Sequence, residues 1–262
     1  MRPELPPELI RLFAMLFSLL GPPSPGETTI NMPKSLILKP GDQIIAIGDS
    51  ITQAGGYLKD IDTVLAVRYP DLKLPPIINV GISGQKAEDL VIRFQKDVIN
   101  RKPAVVTISI GVNDVWHRAG KPHDPQVLAT YWQNVSILVN LAETAGIKVI
   151  LLTPTVIHED LQSLENRRLR IYIEAERQIA REGKCTLVDL HQMFAHVIVK
   201  RPANVPNLKA WLTSDGVHMS PAGDALMAIG VLRALGVPDD TILIPLGKAS
   251  AKPATTKAIF LP

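Results

Sequence analysis

The sequence predicts an α/β protein: a three-layer α/β/α sandwich around a five-stranded parallel sheet. Three observations carry this expectation. Short runs rich in Val, Ile and Leu recur along the chain, as strands covered on both faces must. Helix-length segments of mixed polarity separate them, which is the alternation of βαβ units. The length, 262 residues, suits one such domain with a complete core and would leave two cramped.

The opening segment holds Arg2 and Arg11 and then an apolar stretch from Leu12 to Leu20 before a Pro- and Gly-rich break. It resembles a secretory signal too short to span a bilayer as a mature helix, and that reading makes the protein exported, periplasmic or secreted. Glu4, Glu8 and the early prolines speak instead for a short apolar helix docked on the body. Residues 1–35 are accordingly set apart as an N-terminal segment, possible signal peptide plus Pro-rich linker, from a catalytic-sized domain at 36–245.

Strands are expected at 43–47, 76–80, 104–110, 148–153 and 186–189, and helices at 56–68, 86–100, 125–145, 164–182 and 221–235. Ser220-Pro221 reads as an N-cap followed by proline at the first helical position, while Gly146 and Gly183 stand where helices should end. From 246 to 262 Lys, Ala, Thr and Pro dominate, the composition of a disordered tail.

Charge and cysteine content exclude several classes. The 28 basic and 25 acidic residues leave a net charge of +3, and they are scattered, so nucleic acid is not an expected partner. The lone Cys185 cannot form an internal disulfide, and no Cys/His set has zinc-ligand spacing, so neither staples nor a structural metal are needed. Oligomeric state stays open.

In a parallel sheet, functional groups collect just beyond the carboxyl ends of the strands. Those loops read Gly48-Asp49-Ser50, Asn79-Val80-Gly81-Ile82-Ser83-Gly84 and Gly111-Val112-Asn113-Asp114, and the loop before the last helix holds Asp215-Gly216-Val217-His218. A serine hydroxyl becomes a nucleophile when an imidazole takes its proton, and a carboxylate must hold that imidazole in the right tautomer. Ser50, His218 and Asp215 meet the need, with Asp215 and His218 close enough in sequence to share one tight turn. The N–H groups of Ser50 and Gly84 and the amide of Asn113 are candidate donors for a developing oxyanion.

These four blocks, in this order and at these separations across residues 43–235, resemble the SGNH hydrolases, also called the GDSL esterase/lipase family. The first block has Ile51 where Leu is frequent, a change that touches packing and not chemistry. The resemblance implies a flavodoxin-like sandwich without metal or cofactor, acting on acyl esters of sugars, lipids or small alcohols. The run from Gly111 to His117, with Thr153 to Ile157, is similar to bacterial members grouped with carbohydrate or acetyl esterases.

Other roles stand beside these. Asp49 and Asp114 are expected to brace their own turns. Trp116 and His117 either line the substrate pocket or pack the loop. His123, His158, His191 and His196 show no ligand spacing, Cys185 reads as a small buried hydrophobe, and Arg167, Arg168 and Arg170 read as a solvated helix face. Three rival functions remain: a lysophospholipase- or thioesterase-like lipolytic enzyme, a non-catalytic carbohydrate-binding protein, and a metal-dependent phosphoesterase using Asp49, Asn113, Asp114 and His218. No triad member is missing, further ligands are absent, and aromatic content is only 5%. These favour an esterase for short acyl groups such as acetyl.

Overall fold

A computed structural model describes residues 4–21, 30–183, 185–201 and 211–243; the expected tail at 246–262 lies outside them. Five parallel strands, β1 (Ile44–Gly48), β2 (Ile78–Asn79), β3 (Val105–Ser109), β4 (Lys148–Leu152) and β5 (Thr186–Val188), stand in the order β2-β1-β3-β4-β5. β1 and β3 are buried along their whole length, as the unbroken apolar runs require.

Helices cover both faces. On one lie α1 (Pro7–Leu20), α3 (Gly56–Arg68), α8 (Leu190–Val199), α9 (Pro221–Ala234) and α10 (Asp239–Leu243), packed on one another. On the other lie α4 (Ala87–Asp97), α5 (Val112–Trp116), α6 (Pro125–Thr144) and α7 (Leu164–Glu182). The three layers, the strand order and the parallel pairing are those of a flavodoxin-like sandwich.

Several elements depart from their expected bounds, each for a local reason. β2 is two residues long because Pro75 and Pro76 have no N–H to pair. Its edge still follows β1, since Val80 N–H donates to Ala46 O (2.9 Å) and Ile82 N–H to Gly48 O (3.0 Å). The helix expected over 86–100 ends at Asp97, and a 3-10 turn follows at Ile99–Arg101. Pro103 disfavours helical backbone at Lys102, whose φ is +49°. Gly146 ends its helix in the left-handed conformation at φ +74°, whereas Gly183 has an ordinary φ of −91°.

The opening apolar stretch forms α1, with Phe13 and Leu16 fully buried against α8 and α9 and Phe17 beneath the Arg233 guanidinium. α8 falls where no helix is expected; the Asp189 carboxylate starts it by accepting from Gln192 N–H. The arginine-rich run on α7 is a solvated face at Arg167 and Arg170, which are exposed, but not at Arg168. Arg168 is buried and donates to Arg118 O (2.9 Å) and Lys121 O (2.5 Å), stapling the loop after α5, while Arg167 and Arg170 cap the carbonyls of Gln162 and Leu161. Among the described residues no helix is long and apolar enough to cross a membrane.

Candidate active site

The strand order reverses between β1 and β3, so the chain leaves these neighbouring strands toward opposite faces, the place where open α/β sheets bind their ligands. β1 delivers Ser50 there as the first residue of a one-turn helix, α2 (Ser50–Ala54), and Asp49 caps it by accepting from Ile51 N–H at 2.9 Å. β3 delivers Asn113 on α5.

The second block packs the edge of β2 against α2. Asn79 Nδ2 donates to Thr52 O (2.6 Å), its Oδ1 accepts from Gly81 N–H (2.9 Å), and Gln53 Oε1 accepts from Ser83 N–H (2.7 Å). Gly81 admits no side chain, because a Cβ there would lie 2.3 Å from Gln53 N and 2.9 Å from Asp49 O. Gly84 is different: a Cβ would meet nothing within 4 Å, so its φ of +78° is what glycine serves.

His218 and Asp215 arrive on the loop before α9, closed by an antiparallel bridge between Thr213 and Met219. Asp215 Oδ1 accepts from the N–H groups of Val217 (3.0 Å) and His218 (2.8 Å), and its Oδ2 lies 2.6 Å from His218 Nδ1. A carboxylate only accepts, so Nδ1 carries the ring proton and Nε2 of the neutral ring is an acceptor. The Ser50 hydroxyl, 2.9 Å from Nε2, then donates to it. Burial pushes the Asp215 carboxyl upward, but the bonds from the His218 ring and the two N–H groups outweigh it and hold the group down at about 2.

Candidate donors with hydrogens to spare stand in the loops after β1, β2 and β3. Asn113 is buried and spends one amide hydrogen on Gln85 O (3.0 Å), leaving its second. Among the described residues, neither Ser50 N–H nor Gly84 N–H has a hydrogen-bond partner. Asp49 and Asp114 sit behind these turns. Burial raises the Asp49 carboxyl to about 6 against the opposing pull of Ile51 N–H, and raises Asp114 to about 7 against that of Ala87 N–H.

Trp116 ends α5 partly exposed, its ring 6.2 Å from that of His117. His191 is buried with Nδ1 on Thr155 O (2.6 Å), and burial lowers its pKa. Burial pushes the Cys185 thiol up to about 12. Both match the structural roles expected of them.

Three residues near the site escape sequence reading. Arg93 on α4 donates to Gly48 O (3.2 Å), Val80 O (2.6 Å) and Gln85 Oε1 (2.7 Å), tying the first two blocks together from below, and pairs with Asp97. Tyr131 reaches Ile110 O and a buried Glu176 behind the third block. Asp224 on α9 accepts from Tyr57 N–H (2.9 Å), joining the helix after His218 to the helix after Ser50. Only helix-face position marks these residues in sequence, and ordinary salt bridges share that mark.

A doubly covered parallel sheet with Ser50, Gly84 and Asn113 in the loops after its strands, and His218 bonded to Ser50 from the loop before α9, fits the SGNH class of hydrolase. The model of the GDSL-like lipase/acylhydrolase family matches residues 44–231. An acetylxylan esterase of Geobacillus stearothermophilus is 32% identical over 214 residues, 75% of this chain and 94% of that protein. The crystal structure of Axe2, an acetylxylan esterase from the same organism, superposes with a TM-score of 0.68 at 31% identity, covering 77% of this chain and 97% of the other. LAE5, an alpha/beta hydrolase enzyme from the metagenome of Lake Arreo, gives 0.67 at 28% identity, with 78% and 99% covered. The chain belongs to the GDSL-like lipase/acylhydrolase family and is a carboxylic ester hydrolase.

Proposed function

We propose that the protein is a serine esterase that removes short acyl groups, acetyl above all, from carbohydrate esters. Ser50 attacks the ester carbonyl while His218 takes its proton; His218 then protonates the departing alcohol, and water repeats the sequence to release the acid. Asp215 holds the ring and stabilises the imidazolium. The Ser50 and Gly84 N–H groups and the second amide hydrogen of Asn113 receive the oxyanion.

One observation carries the reading: an unbroken chain of hydrogen bonds from Asp215 through His218 to Ser50, at 2.6 and 2.9 Å. Two features favour a carbohydrate acetate. Two of the three relatives named above are acetylxylan esterases. Trp116, three residues beyond Asn113 and partly exposed, offers with His117 an aromatic wall against which a sugar ring can lie.

The test compares native protein and Ser50→Ala on p-nitrophenyl esters of increasing chain length and on acetylated xylan. The expected result is fastest turnover on acetyl esters, acetate release from xylan, and a loss of about 10³-fold or more in Ser50→Ala with the fold intact. Full activity of the variant refutes the mechanism, and preference for palmitoyl over acetyl esters refutes the substrate class.

A further inference from the structure

The loop carrying Asp215 and His218 has internal bonds that set its shape: the Thr213–Met219 bridge, Ser214 N–H to His218 O (2.8 Å), and the two N–H groups on Asp215. Shape alone does not place the imidazole over Ser50. Among the described residues, the hydrogen bonds leaving residues 211–219 for the rest of the protein reach Ser50, Ser220 at the start of α9, and the turn after β4.

That turn is built for contact. Asn166 on α7, fully buried, accepts from Ile157 N–H (3.0 Å) and donates to the carbonyls of Ile157 and Asp160 (both 2.7 Å), fixing residues 157–160. Glu159 then turns its buried carboxylate into the catalytic loop. One oxygen, Oε1, accepts from Leu212 N–H (2.7 Å), Thr213 N–H (2.9 Å) and the Thr213 hydroxyl (3.1 Å), while Oε2 is buried and has no partner among the described residues. His158 donates its N–H to Gly216 O at 2.6 Å, and holds a φ of +55°, unusual for a residue with a side chain. Its ring lies so close over Gly216 that a Cβ there would stand 2.1 Å from Nδ1.

A buried carboxylate with three donors on one oxygen, beside a backbone in a costly conformation, survives only where the surroundings impose it, and such features concentrate at functional sites. We propose that Glu159, with the His158 N–H, is the positioning device of the catalytic loop. The turn after β4 fixes the loop at Leu212–Thr213 on one side and at Gly216 on the other, and the two fixings set the distance and tilt of His218 toward Ser50. This rests on the triad assigned above, and assigns to Glu159 no contact with substrate. Its chemistry is acceptance of hydrogen bonds at a fixed point, so an amide oxygen at the same point serves and a retracted carboxylate does not.

The experiment compares Glu159→Gln and Glu159→Asp with native protein, beside Ser50→Ala. It reads kcat and KM on p-nitrophenyl acetate, the rate of fluorophosphonate labelling at Ser50, and the thermal midpoint. Shortening the side chain by one methylene pulls the acceptor more than about 1 Å from its donors. Glu159→Asp therefore loses about 10- to 100-fold in kcat and in labelling rate, with KM within about threefold. Glu159→Gln keeps kcat within about threefold of native, since its Oε1 accepts the same bonds. Native kcat in folded Glu159→Asp overturns the proposal, whatever its thermal midpoint, and so does Glu159→Gln falling as far as Glu159→Asp. Hydrolysis surviving Ser50→Ala sinks the triad itself, whereas an inactive Ser50→Ala beside a fully active Glu159→Asp sinks the positioning role alone.

Discussion

Replacing Gly81 by Ala tests whether the packing of the second block sets the position of Ser50. The added Cβ would lie 2.3 Å from Gln53 N, 2.7 Å from Thr52 C and 2.9 Å from Asp49 O, all atoms of the serine turn's own backbone. No flexible side chain is there to yield, so the block and α2 must part by about 1 Å to restore ordinary contact. Two bonds crossing the junction, Asn79 Nδ2 to Thr52 O at 2.6 Å and Ser83 N–H to Gln53 Oε1 at 2.7 Å, stretch by the same amount. The Ser50–His218 bond, 2.9 Å long, then exceeds hydrogen-bonding range. Overpacking costs about 1–3 kcal/mol, and the displaced hydroxyl loses about 10²-fold in kcat. Hydrolysis of p-nitrophenyl acetate, normalised to folded protein by circular dichroism, measures it. Gly41→Ala is the control, because a Cβ at Gly41 meets nothing within 4 Å and only its φ of +79° is at stake. The control should lose about 1–2 kcal/mol of stability and no kcat. Gly81→Ala with kcat within threefold of native refutes the reasoning.

Three further outcomes follow from the site and its supports. Asp114 has a folded pKa raised by burial to about 7 from 3.8, so the folded state holds a proton that the unfolded state has released between those values. The stability from this group is full below about pH 4 and is lost as pH rises to about 7; Asp114→Asn should flatten the fall of the thermal midpoint between pH 4 and 8, and an unchanged slope contradicts the assignment. Arg93→Lys leaves the carbonyls of Gly48 and Val80 without their shared guanidinium, and should cost about 2–3 kcal/mol in urea titration and lower kcat several-fold; a variant as stable and active as native removes Arg93 from the support of the site. Phe13→Ala in the full chain empties a fully buried site under α1 and should cost about 3–5 kcal/mol in equilibrium unfolding; a loss under about 1 kcal/mol shows that α1 does not contribute to the core.

The layered fold was legible because its strands are buried on both faces, and burial writes itself as unbroken runs of Val, Ile and Leu such as Val105–Ser109. The contacts of Ser50 with His218 and of His218 with Asp215 were legible because the proposed chemistry demands one residue type at each of those places. The supports were not. Arg93 and Glu159 act through contacts with loops distant in sequence, Asn166 folds back on the turn six to nine residues before it, and each occupies a position where an exposed polar residue is the ordinary expectation. Arg168 shows the same difficulty, since a guanidinium that staples a loop and one that faces water look alike in a run of arginines. α8 escaped for another reason: a single residue, Asp189, separates it from β5 and serves both as the link and as the cap.

The relay from Asp215 through His218 to Ser50 is tested most directly by where a fluorophosphonate probe attaches. Mass analysis of the labelled protein should place one adduct on the peptide containing Ser50, with none in Ser50→Ala and labelling slowed by about 10²-fold or more in His218→Ala. An adduct on another residue, or labelling of Ser50 at the native rate without the imidazole, contradicts the assigned mechanism.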